Sequence, residues 1–328
     1  MKSLAPVIVF NYNRPDHSLR TWEALSQNQY ATETELFLYC DGPKVGASEE
    51  MKQRIASLHE QAKQYAIDAS ERGKFKAVHV VCAEQNKGLA NSIIDGVSEV
   101  VNRYGSVIVL EDDLLTSPYF LKYMNEALVY YQSYPSVFCV SANRPPTTKM
   151  SIPDDYEYDV FVSLMAFSTG WATWSDRWKQ IDWSMVYYEE LNKHPYQIDA
   201  FNRGGDVMMP YLTLQHQHKI DSWAIRFNYS MFSHHSVAIL PCIPYVDNIG
   251  FDGSGVHSGT NATDFRNDVS LSVQRPRFLN VLYEDSRIIN QFASYYASKR
   301  LPLWKRAINK LSRSLLGKTI FLKKRVYA

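Results

Sequence analysis

Between Ser106 and Pro118 four apolar residues, Val107 to Leu110, run straight into three carboxylates, Glu111, Asp112 and Asp113. A short unbroken apolar run marks a strand covered on both faces, as in a parallel sheet. Thr116 or Ser117 is placed to cap a following helix, with Pro118 in its first turn. Open α/β sheets bind their ligands at the carboxyl ends of such strands. Adjacent acidic side chains repel one another there and resist desolvation without a cation. A hard divalent ion shared with substrate phosphates resolves this, because Mg²⁺ or Mn²⁺ takes one or two carboxylates together with phosphate oxygens. A solvated acidic loop facing the dipole of the next helix explains the same residues without a metal, and the local pattern leaves both readings open.

The chain before this run has the rhythm of βαβ units. Val7–Phe10 reads as a first strand, followed by Asn11-Tyr-Asn-Arg-Pro15 and a helix from about Asp16 or Ser18. Glu35–Cys40 is a second strand ending in Asp41-Gly-Pro, and a charged helix spans about Ser48 to Glu71. Lys76–Cys82 is a third strand, and a helix from the Asn86-Lys-Gly-Leu-Ala segment to about Tyr104 leads into the acidic one. Alternation of this kind predicts a mainly parallel sheet flanked by helices. Arg14, Asp41 and the acidic triplet then meet at one sheet edge. No glycine-rich phosphate loop follows the first strand, which argues against a dinucleotide-binding dehydrogenase and a P-loop nucleotidase.

After Ser136 the pattern changes. Val137–Ser141 is a further strand, and the aromatic Phe161–Trp178 region follows. Trp171, Trp174 and Trp178 are spaced to share one helical face, either packed on the sheet or offered to a sugar ring. Ile220–Arg226, an apolar run from Ser236 to Leu240, and a loop with four glycines between Gly250 and Gly259 come next. Such a loop is too polar and long for the interior, so mobility or ligand contact is expected. Cys40, Cys82, Cys139 and Cys242 lack metal-ligand spacing and read as buried free thiols of a reducing cytosol.

The net charge of +1 conceals a split: residues 299–328 carry ten Lys or Arg and no acid, which leaves −9 on the rest. Within that tail Trp304, Ile308, Leu311 and Leu315 recur at helical spacing among basic residues. The pattern suits an anionic membrane surface, packing on the body, or a protein partner; nucleic acid is not expected. No signal segment or membrane-spanning run is read, so a cytoplasmic protein, peripheral at the inner face of the plasma membrane, is expected.

The order of these stretches, from Val7 to about Gly259, resembles the GT-A glycosyltransferases that use sugar nucleotides. More narrowly, it is similar to a bacterial relative of N-acetylglucosaminyltransferase I. The resemblance implies one GT-A domain with a nucleotide-sugar half (1–140), an acceptor and catalytic half (141–285) and a basic tail (286–328). It implies that Asp113 ligates Mn²⁺ (or Mg²⁺) against a UDP-sugar donor, with Glu111 and Asp112 beside it. Arg14 then lies near the nucleotide and Asp41, in Tyr39-Cys-Asp-Gly, reads the uracil. Thr169-Gly-Trp resembles the start of an acceptor-side helix, and the Gly255-Val-His-Ser-Gly stretch a loop over the donor. Asp221-Ser-Trp resembles an Asp-Asp-Trp segment that holds the catalytic base, with Ser222 as a departure from it.

Two electrostatic demands follow from such a transfer. Charge on the leaving diphosphate calls for a divalent ion, and the acceptor hydroxyl must lose a proton to a nearby carboxylate. Asp221 suits the second role, because desolvation beside Trp223 raises a carboxyl pKa, and an in-line base gives inversion. Asp206 and Asp252 are its rivals, and a structural ion pair with Arg226 is the alternative for Asp221 itself. His257 is open between a metal ligand, a diphosphate contact and an idle loop residue. The His216 and His218 pair and the His234 and His235 pair stay unassigned. The sugar is expected to be GlcNAc or another hexose, and the acceptor a glycan or lipid-linked saccharide. An inactive sugar-binding relative and a sugar nucleotidyltransferase are the competing classes.

Overall fold

A computed structural model describes residues 4–252, 266–297 and 308. Its first half follows the expected alternation. Strands β1 (Val7–Asn11), β2 (Glu35–Cys40), β3 (Ala77–Cys82) and β4 (Ser106–Glu111) are parallel neighbours in the order β3-β2-β1-β4. Helices α1 (Pro15–Ser26), α2 (Glu49–Glu71) and α3 (Leu89–Tyr104) form the crossovers. Each boundary has a local cause. Pro15 opens α1, the Ser48 hydroxyl accepts from the Met51 amide to cap α2, and Gly105 at φ 84° ends α3.

Every side chain of β1 is buried. Ile8 and Phe10 join Ile93 and Val97 of α3 on one face, while Val7 and Val9 join Trp22 of α1 and Leu58 of α2 on the other. That two-sided burial is why these strands read as continuous apolar runs.

The second half extends the same sheet. It comprises β5 (Leu114–Thr116), α4 (Phe120–Tyr131), β6 (Val137–Ser141), β7 (Val160–Ser163) and β8 (Trp171–Trp174). These are followed by α5 (Ser175–Trp178), α6 (Tyr188–Lys193), α7 (Pro195–Phe201), α8 (Met208–His216) and α9 (Trp223–Ser233). The chain continues through β9 (Val237–Pro241), β10 (Val246–Asn248) and α10 (Ser286–Ala297). Beyond β4 the sheet continues β8-β6-β9-β7, giving eight strands, with β8 antiparallel to both β4 and β6. β5 and β10 pair as a separate antiparallel ribbon just past the acidic triplet. The fold is the expected α/β architecture, a mainly parallel sheet flanked by helices.

Three expectations are corrected here. Trp171 and Trp174 lie on a strand, so the spacing of three puts them on opposite faces of the sheet. Trp171 stacks on Trp223 at 4.9 Å and Trp178 at 5.9 Å, whereas the Trp174 indole donates to the Leu128 carbonyl at 3.1 Å. The start expected for an acceptor-side helix at Thr169-Gly-Trp is likewise a turn into this strand. Thr116 ends a strand instead of capping a helix, and α4 begins at Phe120, after Pro118.

α10 packs Ile288, Phe292 and Tyr296 into the core, so the body reaches Ala297, past the boundary drawn at 285. Among the described residues no helix is long and apolar enough to cross a membrane.

Candidate active site

The carboxyl ends of β1, β2 and β4 bring the expected residues together. Arg14, at the end of the β1 loop, sends Nη2 to both Asp112 and Asp113, the latter at 2.8 Å. Thr21 of α1 donates to the Asp112 carbonyl at 2.9 Å and fixes the backbone of the triplet. Asp112 is only 4% exposed, and the Asp113 side chain 14%. Burial raises the pKa of Glu111 and Asp112, repulsion from neighbouring carboxylates adds to the rise, and Arg14 works against it. Burial opposes the charge of Arg14, but Asp112 and Asp113 outweigh it and push its pKa up.

The β5–β10 ribbon carries a second segment over this cluster. Ile249 donates its amide to the Asp113 carbonyl at 2.9 Å. Gly250 lies so close that a Cβ there would stand 2.0 Å from Asp113 Oδ2 and 3.0 Å from Arg14 Nη1. Only glycine leaves that carboxylate room. Two residues on, Asp252 meets His17 at 3.0 Å, and His17 also favours the charged form of Asp112. His17 was not singled out from sequence. Its signal was available: three residues from Arg14, it lies one turn along the same helix face.

Asp41 has a different setting. Its carboxylate accepts from the Gly42 and Lys87 amides at 2.9 Å each, from the Asn86 side chain at 2.9 Å and from the Gly88 amide at 3.2 Å. It therefore ties the β2 loop to the turn that starts α3. An open cleft of about 350 Å³ lies beside these loops, lined by Tyr12, Asn13, Lys44, Ser48 and Met51 among others. Burial and the nearby Asp41 raise the Tyr12 pKa.

The donor set suits a divalent ion in one particular way. Arg14 bridges Asp112 and Asp113, and Glu111 precedes them in the chain. Burial with repulsion between the carboxylates raises the pKa values of Glu111 and Asp112, so a cation placed there would favour their charged forms. Among the described residues no three His, Cys, Asp or Glu converge as an all-protein cage requires. That combination fits Mg²⁺ or Mn²⁺ held by one protein carboxylate and completed by ligand oxygens.

Asp221 sits elsewhere, just before α9. Its side chain is 58% exposed and pairs with Arg226 at 3.0 Å. The desolvation expected of it is therefore not found, and the ion pair is. Asp206 precedes α8. His257 and the glycine-rich stretch from Gly253 lie outside the described residues.

The GNT-I family profile matches residues 1–201, more than half of the chain. The chain belongs to the GNT-I family. It is a family of glycosyltransferases, and the resemblance read from the motifs is to the same group. Among curated proteins no match is found. Several solved structures are loosely similar. S. aureus TarS 1-349 is 14% identical over 74% of this chain and 59% of that one, with a TM-score of 0.42. The Pyrobaculum calidifontis mannosyltransferase PcManGT, in complex with GDP-Man and Mn²⁺, is 10% identical over 70% of this chain and 74% of that one, at 0.36. GalNAc-T7 with UDP, GalNAc and Mn²⁺ is 8% identical over 73% of this chain and 42% of that one, at 0.45. This chain thus spans less than two thirds of the TarS chain, and at such scores these likenesses assign no residue a role.

Proposed function

We propose that the protein transfers a hexose, GlcNAc being the first candidate, from a UDP-sugar to a glycan or lipid-linked acceptor. Residues 1–140 would hold the donor and 141–285 the acceptor, on one continuous sheet. The observation that carries this reading is Arg14 bridging Asp112 and Asp113 of the acidic triplet Glu111-Asp112-Asp113, in a chain of this family. A Mn²⁺ or Mg²⁺ ion held by Asp113 would supply Lewis-acid stabilisation of the charge developing on the leaving diphosphate.

The chain's own residues then have separate tasks. Arg14 holds Asp112 and Asp113 in place and offers its remaining donors to a phosphate. Asp41 fixes the 86–88 turn beside the cleft at Tyr12, which suits a uracil ring. Asp221 takes the acceptor proton, and an in-line base gives inversion. A second reading of the base has its own support, because Asp252 lies two residues beyond the Gly250–Asp113 contact. The basic tail would hold the enzyme at an anionic membrane where a lipid-linked acceptor resides.

The test is a melting-temperature panel of UDP and UDP-sugars with and without Mn²⁺, on the wild type and Asp113→Ala. A metal-dependent rise in the wild type, absent from a variant with unchanged unliganded melting, supports the reading. An equal rise in both places the site elsewhere. Release of UDP with an acceptor, and not of pyrophosphate, separates the transferase from a nucleotidyltransferase and from an inactive binder.

A further inference from the structure

Cys40 and Cys82 end β2 and β3 as register partners on adjacent parallel strands. Opposite residues in a parallel ladder point to the same face. Strands about 4.8 Å apart bring their Cα atoms within the roughly 4.4–6.8 Å that a disulfide spans. The face concerned is the one α2 covers, where Cys40 packs in the cluster containing Leu58 and Ala62 and Cys82 lies at its margin. Cys40 is 2% exposed, whereas Cys82 is only partly buried.

The surroundings distinguish the two sulfurs. A hydrogen bond from the Cys40 thiol lowers the Cys82 pKa, burial opposes this, and His59 and Lys63 of α2 outweigh Glu60 in lowering it further. The same hydrogen bond raises that of Cys40, and burial raises it further. Cys139 and Cys242 are buried thiols whose pKa values burial pushes up, which leaves them inert. An accessible thiolate beside cations, next to a buried second thiol, is the arrangement of a peroxide-sensitive pair.

We propose that Cys40 and Cys82 form an oxidation site, in which a hydroperoxide converts the two thiols to a reversible disulfide between β2 and β3. The Cys82 thiolate attacks one peroxide oxygen and the O–O bond breaks, giving Cys82 sulfenic acid and hydroxide, which takes up a proton to become water. Cys40 sulfur, losing its proton, then attacks Cys82 sulfur. The S–S bond forms, the S–O bond breaks, and a second water leaves. Overall, two thiols and one hydrogen peroxide become one disulfide and two waters, and a dithiol reverses the step. The disulfide would sit one residue before Asp41.

The experiment treats the native full-length chain with hydrogen peroxide, blocks free thiols and maps peptides without reduction. A Cys40–Cys82 cross-linked peptide that dithiothreitol dissolves, with Cys139 and Cys242 still free, is the expected result. In the untreated protein, iodoacetamide should alkylate Cys82 about tenfold or more faster than Cys139 or Cys242. Cys40→Ala should convert the disulfide into a Cys82 sulfenic acid that dimedone traps. The wild-type map stands by itself should that variant fold poorly. Peroxide that leaves both thiols free, or that drives Cys82 to sulfinic acid with no cross-link, overturns the proposal.

Discussion

Asp221 and Asp252 divide between them what a general base needs. Asp221 lies just before α9, two residues from Trp223, and its 58% exposed side chain is paired with Arg226 at 3.0 Å. Asp252, two residues beyond the Gly250–Asp113 contact, has His17 as partner, and its side chain is 46% exposed. Replacing the base by its amide keeps shape and removes the proton acceptor. Asp221→Asn should lower turnover by about 10²–10⁴ while UDP and Mn²⁺ binding survives, and Asp252→Asn should cost less. Steady-state rates with a working acceptor decide, and the opposite ranking moves the role to Asp252.

A second residue-scale prediction concerns pH. Glu35 accepts from the Tyr104 hydroxyl at 2.6 Å and pairs with Lys76 at 2.9 Å, and with Tyr104 as the larger cause its pKa falls to about 2. A carboxyl lowered on folding adds stability above its ordinary value, near 4.5, and loses it as pH falls towards about 2. Tyr104→Phe should therefore cost about 1.5 kcal/mol near pH 7 in urea unfolding. The gap to the wild type should close across that acidic window; a gap constant with pH would show that packing, and not the charge, is responsible.

At the scale of elements, the Ser222 departure has a physical reason. Ser222 is the N-cap of α9, its hydroxyl accepting from the Ile225 amide at 3.4 Å. Aspartate caps equally well, so the position tolerates either residue without disturbing the helix. Ser222→Ala should lower stability by about 1 kcal/mol, Ser222→Asp should not, and denaturant midpoints at constant slope will show it. Where an element has its period in the chain it was readable: β1 to β4 and α1 to α3 follow from apolar runs and helical spacing, with Ser48 marking the start of α2, although Pro15 opens α1 before the start expected at Asp16 or Ser18. The strand at Trp171–Trp174 was not, because four residues are too few to display a period of two and their Trp spacing mimics a helix. Of the site, Arg14 and the triplet were legible because each ends a recognisable strand. The Gly250 contact was not, since it depends on how β10 pairs with β5, a long-range choice that leaves no local trace.

For the whole molecule the unresolved balance is between an acidic body and a basic end. The described body closes on α10, whose Ile288, Phe292 and Tyr296 are buried, so a chain ending at Ala297 retains the packed core. Beyond it lies the stretch with ten basic residues and no acid, outside the described residues except for Ile308, which is helical and exposed. Each Lys or Arg near an anionic bilayer contributes roughly 1 kcal/mol, so on the proposed membrane role several together would have to overcome repulsion from a body at −9. A Trp and three aliphatic residues at helical spacing add apolar area that neutral lipid also accepts. The two contributions respond differently to salt, because only the charge is screened. Full-length protein should therefore sediment with anionic vesicles at low salt, release progressively as salt rises, and bind neutral vesicles weakly. The chain ending at Ala297 should stay in the supernatant throughout. If full-length protein also stays there with anionic vesicles at low salt, the tail does not serve the membrane, and its charges belong to a protein partner or to the acidic body itself.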